Sequence, residues 1–91
     1  MSKLSDYGFK WVKTDLGHYK IVHILTLEDD DKEEIASIVK TDKENIFLIE
    51  TKCEELGLKG EQEFDDPKIA NRFVSNIKKL IGEELIKIRD Y

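Results

Sequence analysis

One proline, one cysteine and one tryptophan in 91 residues set the first limits on this chain. With a single proline and five glycines, collagen-like and linker-like sequence is excluded. Cys53 has no second cysteine to pair with, so the chain is not a disulfide-stapled secreted miniprotein. No apolar run approaches the roughly 18 residues of a membrane-spanning helix. The opening MSKLSDYGFK lacks the apolar centre of a signal peptide. Also missing are a glycine-rich phosphate loop, a serine nucleophile elbow and a His-x-x-x-His metal pair. The expectation is therefore a non-enzymatic protein without cofactor or metal, intracellular and cytoplasmic. What is present is enough for one core: 10.6 kDa, 40% hydrophobic residues and 38% charged. Residues 1–91 read as one small globular domain, with 1–6 a candidate for disorder.

The formal net charge of −5 hides a partition along the chain. Residues 1–27 hold four lysines against two aspartates, a balance of +2. Residues 28–66 hold five lysines against fifteen acids, a balance of −10, and residues 67–91 return to +3. An acidic middle between basic flanks is what a surface aimed at a basic partner would carry, because complementary fields raise association rates.

The clearest periodicity is that of strands. Phe9, Trp11 and Lys13 alternate with Lys10 and Val12. In His18–Glu28, residues Tyr19, Ile21, His23, Leu25 and Leu27 share one face at period two. Val22 and Ile24 make the other face apolar too, which suits a central strand. Asp15-Leu16-Gly17 between the two runs predicts a hairpin bulged at Gly17. Farther on, Glu34–Lys40 and Ile46–Cys53 read as two more strands joined through 41–45, with Asn45 suited to a left-handed conformation in a type I turn. A competing helical reading uses Thr41-x-x-Glu44 as a capping box and Gly57 as a helix-ending glycine. In that form Ala36, Ile46 and Ile49 resemble the buried positions of a helix-turn-helix, which implies a winged-helix-like domain. Its recognition helix, 42–56, would carry five acids against two lysines and would be repelled by a phosphate backbone.

The C-terminal third reads as one helix. Asp65 or Asp66 caps it, Pro67 occupies the first turn, and Ile69, Phe73, Ile77 and Leu80 recur at helical spacing. Leu85 and Ile88 keep the stripe in register beyond Gly82, so the helix is expected to run to Asp90; a short final strand over Glu84–Arg89 is the alternative. The fold class that follows is α+β: an antiparallel meander of four to five strands with a C-terminal amphipathic helix packed on one face. The stretch Glu61–Pro67, followed by Ala70, Phe73, Val74 and Ile77, resembles the close of a pleckstrin-homology-like domain. That resemblance implies a binding scaffold, and no functional residue is carried over from it.

Two surfaces emerge as candidate sites. The first is acidic, with Asp29, Asp30, Asp31, Glu54 and Glu55 meeting a protein partner that has a basic surface, as in an adaptor, inhibitor or regulatory subunit. The alternative is a nucleic-acid interface in which Trp11 and Tyr19 stack bases while Lys10, Lys13 and Lys20 hold phosphates, aided by the basic C-terminal helix. His18 and His23 read as structural or exposed, and Cys53, with acids for neighbours, as a buried small hydrophobe. The acid run 28–31 lacks the glycine and the distant glutamate of a calcium loop, so it reads as a solvated turn. A helix of about 24 residues spans roughly 36 Å, so its end would be free to dock on a second copy, giving a homodimer.

Overall fold

Residues 9–27 fold into the hairpin that their alternation predicts: β1 (Phe9–Leu16) pairs antiparallel with β2 (Tyr19–Leu27), Trp11 opposite Leu25 and Lys13 opposite His23. The computed structural model describes residues 3–16, 19–27 and 30–90, and the side chains of 16, 19–21 and 30–33 lie outside that description. The expected bulge residue Gly17 also lies outside it. A register shift falls just before it, between Thr14 and Leu16.

The ambiguous middle is two strands and not helices. β3 (Asp30–Lys43) pairs with β2 and with β4 (Ile46–Cys53), both antiparallel. Thr41, the would-be helix cap, is instead paired with Leu48. Gly57, at φ 65°, ends a three-residue 3-10 turn (Glu54–Leu56) and no α-helix. The winged-helix-like alternative is therefore overturned. The physical reason is the density of β-branched residues between Ile35 and Thr51, which pack well on a pleated surface with a partner strand on each side. The connector is also tighter than expected. Thr41, Asp42 and Lys43 stay in the ladder, and only Glu44 and Asn45 turn, at φ 47° and 69°. Positive φ at both positions is the type I′ arrangement, whose twist matches that of the flanking strands, in place of the type I turn.

β5 (Leu58–Phe64) pairs antiparallel with β4 and completes a five-stranded meander in the order β1-β2-β3-β4-β5. α1 (Pro67–Arg89) follows as expected. Asp66 Oδ1 accepts the Lys68 backbone N–H at 2.9 Å, and Pro67 fills the first turn. The helix continues through Gly82, so the alternative final strand does not form. Leu4 closes on Gly82: a Cβ there would lie 3.1 Å from Leu4 Cδ1. Residues Leu4–Tyr7, overlapping the 1–6 segment read as a candidate for disorder, form a 3-10 turn that this contact docks on the helix.

The register fixes two faces. The helix face carries Phe9, Leu25, Ala36, Ile38, Ile49 and Cys53, which pack with Ala70, Val74, Ile81 and Leu85 of α1 into one core. The open face carries Val12, Val22, Ile24, Val39 and Leu48, so the inner strands are apolar on both sides. Arg89 ties down the far end of the helix. Its guanidinium stacks 4.5 Å from the Phe9 ring centre and lies 3.1 Å from a Glu55 carboxylate oxygen.

Candidate functional site

The described part of the acidic middle spreads over both faces of the sheet. Strand alternation sends its charges to both sides of the sheet, and the register interleaves them with lysines. On the open face, Glu34, Glu50, Glu61 and Glu63 stand among Lys10, Lys43, Lys52 and Lys59. Glu54 lies 3.4 Å from Lys52, and Glu55 is held by Arg89. Of the other acidic candidates, Asp29 lies outside the described residues. Asp30 and Asp31 open β3, with side chains outside the description.

The cations behave differently: they converge. One cross-strand row on the helix face runs Lys13–His23–Ile38–Thr51–Gly60 through all five strands. Lys40 stands two residues beyond Ile38 on the same face of β3, and Lys78 comes from α1 above. His23, Lys40, Asn71, Val74, Ser75 and Lys78 line a cleft of about 220 Å³ between helix and sheet. Lys40 is only 8% exposed. Its Nζ donates to Asn71 Oδ1 at 2.8 Å and sits 5.1 Å from the Phe47 ring centre. Lys78 Nζ lies 5.5 Å from the ring centre of Trp11, which places the aromatic at the margin of the same cluster.

None of Lys13, Lys40 and Lys78 has a carboxylate within 4 Å among the described residues. No protein-family model, curated protein or solved structure matches the chain. The site must therefore be read from its own electrostatics. Burial lowers the pKa of the His23 imidazole below its ordinary value, and Lys78, Lys13 and Lys40 lower it further. Three ammonium groups thus act on one imidazole, and among the described residues none of the three has a carboxylate within 4 Å. This is an arrangement that an anion would relieve.

The alternative nucleic-acid set is split by the fold. Trp11 and Lys13 fall on the helix face with the cleft, whereas Lys10, opposite Thr26, falls on the open face. Tyr19 and Lys20 open β2 and their side chains lie outside the description. The sequence reading missed His23, Lys40, Asn71 and Ser75 as members of a site. Asn71, Ser75 and Lys78 recur at i, i+4, i+7 beside the apolar stripe, a polar flank that helical periodicity alone would have exposed. Among the described residues there is no group of His, Cys, Asp and Glu able to hold a metal ion, and no helix is long and apolar enough to cross a membrane.

Proposed function

We propose that this chain is a non-enzymatic binding module that takes single-stranded nucleic acid at the cationic cleft, with Trp11 as the aromatic surface beside it. The observation that carries this reading is the convergence of His23, Lys40 and Lys78 on one cleft, with Lys13 opposite His23 at its side and, among the described residues, no carboxylate within 4 Å of the lysines. Lysines hold phosphates and aromatic rings accept bases, which is how single strands are bound without reading their sequence. The test is fluorescence titration with a single-stranded oligonucleotide. Three lysine–phosphate contacts give a salt slope of about −2, a loss of roughly twentyfold in affinity between about 50 and 200 mM salt. Trp11→Ala and Lys78→Gln should each weaken binding. A flat titration at about 50 mM salt would refute the reading.

A second reading, a protein partner with a basic surface, keeps one specific support. Glu50 and Glu61 stand directly opposite each other on the open face, and neither has an ion-pair partner among the described residues. Like charges so placed destabilise a sheet, and a basic partner would offset them. Charge reversal at Glu50, Glu61, Glu54 and Glu55 in a folded variant should then abolish capture of that partner. Unchanged capture would dismiss this reading.

A further inference from the structure

Resting on the strand-binding reading, we infer that the cleft receives the end of a strand: a terminal phosphomonoester seated among Lys13, His23, Lys40 and Lys78, with the adjoining base against Trp11. The first reason is charge. An internal phosphodiester brings one negative charge and two sugar substituents. A terminal phosphomonoester brings about 1.5 to 2 charges at pH 7, three acceptor oxygens and one substituent. Lys40 of β3 and Lys78 of α1 in the cleft, with Lys13 of β1 also acting on His23, repel one another, and a ligand of more than one charge offsets this best.

The second reason is depth. Lys40 is 8% exposed, and Asn71 on the helix orients its ammonium. Reaching this ammonium brings a phosphate between His23 of the sheet and Asn71 and Ser75 of the helix, where a group with one substituent is less obstructed than one with two. Asn71 accepts from Lys40 through its oxygen, which leaves its amide nitrogen as a further donor beside the Ser75 hydroxyl. The third reason is the overall charge of −5, which opposes long-range attraction of any polyanion. Affinity must then come from short-range contacts inside the cleft, and a concentrated charge gains the most from those.

His23 supplies a second readout. The groups facing it are Lys13 from β1, Lys40 from β3 and Lys78 from α1. A dianion among them reverses the local field and favours the imidazolium, so binding takes up a proton. Affinity for a phosphate end should therefore tighten as pH falls from about 8 toward 6.5, above the phosphate's own second ionisation near 6.

Trp11 is the only tryptophan, so intrinsic fluorescence reports the site directly. The experiment titrates the full chain with oligothymidylate bearing a 5′-phosphate, a 3′-phosphate or hydroxyls at both ends, and with thymidine monophosphate and inorganic phosphate. The expected result is that a phosphate-ended oligomer binds about tenfold tighter than the hydroxyl-ended one, the scale of one lost charge-assisted contact. Lys40→Met should erase that preference, while Lys52→Gln on the open face should leave it intact. Equal affinity for phosphate-ended and hydroxyl-ended oligomers overturns this inference and leaves strand binding standing. A preference that survives Lys40→Met also overturns it. Binding of the mononucleotide or inorganic phosphate, lost in Lys40→Met, with no binding of any oligomer, upholds the phosphate site and overturns the strand reading. No response to any of the five overturns both.

Discussion

Replacing Lys40 with methionine should change stability and binding in opposite directions. The residue is 8% exposed, and among the described residues its ammonium has one hydrogen bond, to Asn71, and one ring contact, with Phe47. Keeping a mostly buried ammonium without a counter-ion costs several kcal/mol in desolvation. Against this stand about 1.5–3 kcal/mol for a hydrogen bond to a charged group and about 1–2 kcal/mol for the cation–π contact. Methionine fills nearly the same stem volume, keeps a sulfur–aromatic contact with Phe47 worth about 0.3–1.5 kcal/mol, and leaves exposed Asn71 free to bond water. The balance favours Lys40→Met by about 1 kcal/mol, which is about 4–8 °C in Tm for a chain this size. Thermal denaturation followed by far-ultraviolet circular dichroism measures it, alongside the oligonucleotide titration. A gain in Tm with loss of phosphate preference marks a residue held for function at a cost to the fold. A fall in Tm of more than about 4 °C would show that Lys40 is a structural element of the β3–α1 contact and refute the reasoning.

The pH dependence of stability follows from His23. Its folded pKa is lowered, so between that value and the unfolded value of about 6.5 the unfolded chain binds a proton that the folded chain declines. Its contribution to stability is thus full above about pH 6.5 and is lost as pH falls from there through the lower folded value, and His23→Gln should flatten this part of the denaturation profile. At the β3–β4 turn, replacing Glu44-Asn45 by Asn-Gly should raise stability by about 1 kcal/mol, because both positions already have positive φ; chemical denaturation decides, and a loss would contradict the I′ assignment. Gly82→Ala should be close to neutral. About 1 kcal/mol of helix propensity is offset by a contact at 3.1 Å that the flexible end of Leu4 can relax. Gly82→Leu, by contrast, should release residues 4–7 to proteolysis, and equal protease resistance would dismiss the docking contact.

Elements whose local signals all agree were legible in the sequence. α1 has a capping aspartate, a first-turn proline and an unbroken apolar stripe, and it forms as expected from Pro67 through Arg89. The first hairpin shows clean period two and also forms. The 30–53 region was ambiguous because Thr41, Glu44 and Gly57 are compatible with helix punctuation and with turn geometry alike. Pairing on both sides of β3 and β4 decides between them, and pairing is a long-range property that no local window contains. The turn was placed three residues too early for the same reason: Thr41–Lys43 look like loop in sequence and are held in the ladder by Ile46, Phe47 and Leu48.

The candidate site was half visible for a related reason. Charge summed along a chain predicts a surface only where consecutive residues stay together, and strands do the opposite. In β4 and β5, the facing pair Glu50 and Glu61 lies next to the facing pair Lys52 and Lys59 on the open face, so a segment with a balance of −10 presents a mixed surface there. The cleft inverts the lesson. Lys13, Lys40 and Lys78 are separated by 27 and 38 positions, so no local window contains more than one of them. The β1–β2–β3 register and the return of α1 over the sheet put them together. Trp11 and Lys13 could be named from local alternation; His23 and Lys40 could not. Their placement beside the lysines depends on which residue of β2 faces Lys13 and on how far β3 runs before its turn. A single-residue slip of β2 would move His23 to the open face, and both the crowding of cations and the lowered histidine pKa would vanish with it. The titration of His23, followed by nuclear magnetic resonance, therefore tests the register and the site together.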